Sequence, residues 1–306
     1  MARHSLMQKL EQFRNLGHVH ESTYTFRPCP DLQEVVNRFP PGTCLYFDLG
    51  ESGDTGISTI PDTEPGYRIW LGRCRLYLSR GNQVYENKTG IDLASHMHLL
   101  FMSRRFYYVE EADILGYWEN LDDEFNRSED YAQKKLTARS VFLQGLIEKH
   151  CLGVASALEI GCNLGRNLNH LKTRMNLNVA GIEISPKALE QRAKFYPVLD
   201  DSTFYCGDAR EILPTIDENG YDLIFSMAVL MHLHPATPDA FWQEIVRIAG
   251  RYIITIENEN SSWVRNWAHD YRGAFESLGA KQVHEESVQL DEDTGDYIAR
   301  VFHTKG

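Results

Sequence analysis

The second half of the chain alternates two apolar patterns with unusual regularity. Short, nearly continuous apolar runs at 156–160, 179–184, 204–206, 221–226 and 252–257 read as buried strands. Between them, residues 167–175, 186–195 and 238–248 repeat at helical spacing, with Phe241, Ile245 and Ile248 on one face and Pro186 in a first helical turn. Such alternation specifies a parallel sheet with helices on both faces, and ligands of such sheets bind at the carboxyl ends of the strands. Two further runs, 282–290 and 297–302, flank a turn-rich stretch and read as an antiparallel hairpin at the sheet edge. The fold class expected is α/β, a Rossmann-like, seven-stranded, mostly parallel sheet closed by that hairpin.

The first half has a different texture. Leu6, Leu10, Phe13 and Leu16 predict a helix over residues 1 to 22. Aromatic and β-branched runs at 44–47, 56–60, 67–71, 75–78 and 106–109, punctuated by Gly and Pro, predict antiparallel strands. From 117 to 151 the pattern is helical again, with an aromatic opening at Tyr117, Trp118, Leu121 and Phe125. A buried stripe is expected at Leu136, Val141, Phe142, Leu146 and Ile147, and Tyr117, Trp118, Tyr131 and Arg139 are candidates for a lid. Two domains follow: a β-rich accessory domain over 1–115, serving as a substrate cover or a surface for homo-oligomerisation, and a ligand-binding domain over 116–306.

Composition narrows the classes of partner. With 306 residues, 42% of them hydrophobic, the chain can bury a substantial core, and no run is long enough for a membrane helix. The N-terminus reads as a polar helix and not as a signal peptide, so a cytoplasmic protein is expected. A formal charge of −12 disfavours nucleic acid as a partner. Cys29, Cys44, Cys74, Cys151, Cys162 and Cys206 form no C-x-x-C pair and are expected to be separate, reduced thiols. No metal is expected, because the Gly- and Asp-rich stretch 48–56 lacks EF-hand spacing and reads as a surface connection.

The polar residues at the strand ends carry the chemistry. Gly161, Asn163 and Gly165 form a turn between the strand ending at Ile160 and the next helix, where free backbone N–H groups and close approach to a ligand are available. A dinucleotide fold would place a third glycine in that turn, and this chain has none at the required offset. Glu159, inside the strand, suits a cationic ligand better than a pyrophosphate. Glu183 ends the second strand, where an acid can accept both ribose hydroxyls, and Asp208 follows the third, near where an adenine amino group would lie.

Leu158-Glu159-Ile160-Gly161-Cys162-Asn163-Leu164-Gly165, Gly181-Ile182-Glu183-Ile184, Gly207-Asp208-Ala209 and Tyr221-Asp222-Leu223-Ile224-Phe225 resemble successive motifs of class I S-adenosylmethionine-dependent methyltransferases, over about residues 120 to 303. The turn at 161–168, the stretch 229–235 and the stretch 251–258 are more narrowly similar to small methylases associated with pseudaminic acid biosynthesis. Asn163 stands where the broader family usually has glycine, and Asn tolerates the left-handed backbone. The resemblance does not reach residues 1–115.

The resemblance implies S-adenosylmethionine as cofactor. Gly161, Asn163 and Gly165 would pack on its methionine portion near Glu159, Glu183 would hold ribose with Ile184 alongside, Asp208 and Ala209 would read adenine, and Met227 and Ala228 would line its far side. His232, just past the fourth strand, is a candidate base for deprotonating an acceptor; Glu257 and Glu259, after the fifth, are candidates to orient or deprotonate it. Trp263, Trp267, His269, Tyr271 and Arg272 suit a ring-shaped or anionic molecule, or the core. The expected activity is methyl transfer to oxygen or nitrogen of a small molecule. The alternatives are a macromolecular acceptor, RNA or protein, and a non-catalytic cofactor-binding protein.

Overall fold

The computed structural model describes residues 20–21, 27–28, 44–48, 75–80, 83–86, 106–108, 111–120, 137–233, 237–259, 269–289 and 297–304. They fall into two compact units, one ending at Tyr117 and the other beginning at Trp118. In the first, a six-stranded sheet is built from β1 (His20–Glu21), β2 (Arg27–Pro28), β3 (Cys44–Asp48), β4 (Arg75–Arg80), β5 (Gln83–Glu86) and β6 (Phe106–Tyr108), in the order β1-β5-β4-β3-β6-β2.

Two expectations are corrected here. His20 and Glu21 are strand, not the end of a helix. β3 and β4 pair parallel, in register from Cys44 opposite Arg75 to Asp48 opposite Ser79, where an antiparallel pair was expected. The chain between them is long enough for the crossover that parallel pairing requires, whereas the short connection from β4 to β5 gives an antiparallel pair. The rest of the helix expected over 1–22, the strands expected at 56–60 and 67–71, and Leu121, Phe125, Tyr131, Leu136, Trp263 and Trp267 lie outside the described residues.

α1 (Glu111–Glu119) runs across the boundary between the units and α2 (Thr137–His150) opens the second. From there the expected alternation is found: β7 (Ser156–Ile160), α3 (Arg166–Met175), β8 (Asn178–Glu183), α4 (Pro186–Phe195), β9 (Thr203–Cys206), α5 (Ala209–Ile212), β10 (Tyr221–Met227), α6 (Asp239–Ile248), β11 (Ala249–Glu257), α7 (Tyr271–Ser277), β12 (Lys281–Val288) and β13 (Tyr297–His303). The sheet order is β12-β13-β11-β10-β7-β8-β9, with β7 through β11 parallel and β13 antiparallel to both neighbours. β13 therefore lies inside the sheet, and only β12 is at that edge.

Both faces of the sheet are covered, which is why its strands read as continuous apolar runs. Successive residues enter opposite cores: Ala157, Phe225, Ile254 and Val301 on one face, Leu158, Ile224, Ile253 and Phe302 on the other. Helix starts follow local chemistry. Ser185 accepts the Ala188 N–H at the head of α4, with Pro186 in its first turn, and Asp270 accepts the Gly273 N–H at the head of α7.

The chain leaves β7 for β8 and β9 on one side and returns to β10 on the other. That reversal makes a crevice at the carboxyl ends of β7 and β10, where open α/β sheets bind ligands. α2 packs beside it with Leu143, Leu146 and Ile147 inward. Val141 is 53% exposed, so the expected stripe is out of phase there: two residues from Leu143 is about 200° around a helix. Leu143→Ala should therefore destabilise the protein by roughly 2–5 kcal/mol, and Val141→Ala by under about 0.5 kcal/mol, measured by urea unfolding.

Candidate active site

The turn after β7 is held by its neighbour strand. The N–H groups of Gly161 and Cys162 both donate to Ile182 O, at 2.8 and 3.0 Å. Gly161 sits at φ 71°, and a Cβ there would meet Val229 at 2.5 Å, so the loops after β7 and β10 touch at this point. Asn163 is left-handed at φ 50°, and its Oδ1 accepts the Leu164 N–H at 2.8 Å, a local bond that favours that conformation. Gly165 at φ 82° starts α3. Ala228, after β10, is left-handed at φ 58° without a side-chain oxygen to support it.

Three carboxylates are buried along this edge. Glu183 is 5% exposed; its Oε2 accepts the Asn163 N–H at 2.7 Å and its Oε1 the Ser185 N–H at 2.8 Å. It thereby ties the β7 turn to the start of α4. Burial raises its pKa and these N–H donors oppose the rise. A carboxylate has about four acceptor positions, so ribose hydroxyls still have lone pairs to use. Half-buried Ile184 follows it at the same edge.

Glu257 is 0% exposed and accepts from Ser226 Oγ at 2.8 Å, Val229 N–H at 3.0 Å and Met231 N–H at 3.2 Å. Burial pushes its pKa up to about 7 against those donors. This carboxylate ends β11 at the expected edge, but it is buried and its oxygens are taken up by the turn after β10. What it holds is the 3₁₀ turn Leu230–His232, and so the backbone that carries His232. Glu259 is engaged by a two-pronged ion pair, with Arg300 Nε and Nη2 donating at 2.7 and 2.8 Å.

Glu159 is 3% exposed, and it differs from the other two. Its Oε1 accepts from Asn167 Nδ2 at 2.6 Å, while its Oε2 is buried with no hydrogen-bond partner. Desolvation raises its pKa to about 8, although the Asn167 bond and the nearby Arg166 charge pull it down. An orphaned buried carboxylate oxygen beside a left-handed glycine turn is a candidate receptor for a cation.

The remaining candidates are placed as follows. Asp208 caps α5, accepting the Arg210 N–H at 2.9 Å and pairing with the Arg210 side chain, and Ala209 follows it half-buried. Met227 is buried at the end of β10, with Sδ 3.9 Å from Asn167 Nδ2. His232 is half-buried, its ring 4.4 Å from that of Trp118 and inclined by 40°. Tyr271 belongs to the core, His269 Nε2 donates to Leu233 O at 2.8 Å, and Arg272 pairs with Glu276 on the surface. Arg139 lies 5.8 Å from the centre of the Tyr297 ring. Among the described residues no three His, Cys, Asp or Glu side chains gather as a metal site, and no helix is long and apolar enough to cross a membrane.

Residues 158–251 match a family described as a methyltransferase domain. The matched stretch lies within the second unit and runs from β7 into β11. The cofactor is S-adenosylmethionine, and the residues present would fit it: Glu159 Oε2 would be open to the ammonium of its methionine end, and Glu183 has lone pairs that its ribose diol would use. Among solved structures, a magnesium protoporphyrin IX methyltransferase from Synechocystis PCC 6803, determined with bound SAH, is 15% identical, with 63% of this chain and 99% of that one covered at a TM-score of 0.48. A SAM-dependent methyltransferase from Archaeoglobus fulgidus is 15% identical, covering 60% of this chain and 100% of that one at a TM-score of 0.44. No curated protein matches the sequence.

Sequence reasoning missed Asn167 and Ser226 as partners of the buried acids Glu159 and Glu257, and Ser140 as the partner of Asn167. An Asn in the first turn of a helix that follows a strand bearing a buried acid was a usable signal, since Asn is a weak helix former that seeks side-chain partners.

Two outcomes follow. Folded Glu159 keeps a proton that the unfolded chain releases, so the ligand-free protein loses about 1.4 kcal/mol per pH unit between the ordinary carboxylate value and about 8. Glu159→Gln should raise the thermal midpoint at pH about 8 and leave it nearly unchanged near pH 5; equal effects at both pH values would contradict this. Glu257→Ala orphans the Val229 and Met231 N–H groups, and denaturant melts should show roughly 2–4 kcal/mol lost.

Proposed function

We propose that the protein methylates an oxygen or nitrogen of a small molecule, a ring-bearing, sugar-like or natural-product-like acceptor. The observation that carries this reading is the pairing of a half-buried imidazole, His232, with the Trp118 ring at the carboxyl edge of β10. An aromatic wall beside a base suits a small ring. The similarity of 161–168, 229–235 and 251–258 to methylases associated with pseudaminic acid biosynthesis supports a sugar-like acceptor. The charge of −12 favours a small molecule over RNA.

S-adenosylmethionine supplies an electrophilic methyl group on a positively charged sulfur, so the protein's task is to align the acceptor and remove its proton. Gly161, Asn163 and Gly165 let the main chain approach the methionine portion. Glu183 would hold ribose with Ile184 alongside, Asp208 and Ala209 would read adenine, and Met227 and Ala228 would line the far side of the adenosine or the methyl channel. His232 takes the proton, on a turn whose position depends on Glu257; Glu259, tied to Arg300, borders the acceptor side. Residues 1–115 serve as a cover or as a homo-oligomer contact, and the enzyme works in the cytoplasm.

Calorimetry with S-adenosylmethionine should show binding that weakens at least about tenfold in Glu183→Ala. A metabolite screen scored by S-adenosylhomocysteine release should find a small-molecule acceptor, and His232→Ala should lower kcat by about 10²-fold or more with cofactor affinity unchanged. Release with RNA or protein fractions alone would replace the acceptor class, and binding without release in any fraction would replace the enzyme with a cofactor-binding protein.

A further inference from the structure

Asn167 lies in the first turn of α3, 4% exposed, and its amide joins four elements. Nδ2 donates to Glu159 Oε1 on β7 at 2.6 Å and faces Met227 Sδ on β10 at 3.9 Å. Oδ1 accepts from Ser140 Oγ on α2 at 2.7 Å, and Arg166 Nε and Nη2 stand 3.4 Å from the same oxygen. Ser140 is itself buried, at the level of the amide.

The orientation of this amide matters. Arginine only donates, so the guanidinium on the Oδ1 side fixes the carbonyl there and turns the NH₂ toward Glu159. One Glu159 oxygen is thereby occupied by a donor belonging to the protein. The other, Oε2, is left buried and unpartnered. A carboxylate free to rotate would share both oxygens between any donors; this one is locked with a single oxygen presented.

We propose that Asn167, oriented by Ser140, is a positioning residue of the methyl-donor site: it locks the Glu159 carboxylate so that Oε2 receives the ammonium of the cofactor's amino-acid end. The inference rests on the S-adenosylmethionine reading above. Nothing in it depends on the acceptor. The amide bond also favours the ionised carboxyl, which is the form an ammonium needs. Ligands with the ammonium should therefore bind more tightly as pH rises toward about 8, and loss of the amide should move that rise to higher pH.

The test uses the full chain, Asn167→Leu and Ser140→Ala, with calorimetric titration of S-adenosylhomocysteine and of 5′-methylthioadenosine, which lacks the amino-acid end, over roughly pH 6 to 9. In Asn167→Leu, S-adenosylhomocysteine affinity at neutral pH should fall by about tenfold to hundredfold, with its pH rise displaced upward. Affinity for 5′-methylthioadenosine should stay within about twofold, which also verifies that the variant is folded. Ser140→Ala should shift S-adenosylhomocysteine in the same direction by less. Equal weakening of both ligands, or no change in either, overturns the proposal and leaves Asn167 a packing residue. A wild-type protein that binds neither ligand overturns the cofactor reading and this inference with it.

Discussion

A carboxylate taken out of water has to collect donors, and along the carboxyl edge of this sheet that requirement shapes every loop. Glu183 gathers the backbone of two turns, Asn163 and Ser185, and so joins the strand-to-helix turn of β7 to that of β8. Glu257 gathers a serine and two N–H groups and fixes the turn after β10. Each acid ties down the backbone of the turns that it accepts from. Glu159 is the exception, with one oxygen bonded and one bare. That bare oxygen is the one the proposed reading gives to the cofactor's ammonium.

The same contrast separates stability from function. Glu257 stabilises the turn it occupies, and its pKa stays raised because its donors offset only part of the desolvation. Glu159 has one strong donor, and its pKa is pushed further, to about 8. Strain is stored at this edge in the backbone too, with Ala228 in the left-handed region, where a Cβ costs about 1–2 kcal/mol. Binding sites commonly hold such local conflicts, which the surrounding packing sustains. Here the packing is the pair of cores on the two faces of the sheet.

The strands of the second unit were legible because buried parallel strands are continuous apolar runs bounded by turn residues, and their limits agree within a few positions. The left-handed Asn163 was legible from residue type alone. Harder features depended on phase or on distant partners. Val141 and Leu143 are both apolar, and only packing against α3 selects which faces inward. Glu257 reads as a loop acid from its place at a strand end. Its parity with Ile253 and Thr255 nonetheless points it to one covered face, and a period-two count would have found it inward. Asn167 was within a quoted motif, but its partners Ser140 and Glu159 come from separate elements, which no local pattern reveals. Parallel pairing of β3 with β4 likewise depends on a long crossover that short-range texture does not encode.

β13 follows β12 in the chain yet lies between β12 and β11 in the sheet. Residues 297–303 therefore supply the hydrogen-bonding partner of two strands at once, and without them β11 and β12 would each present an open edge.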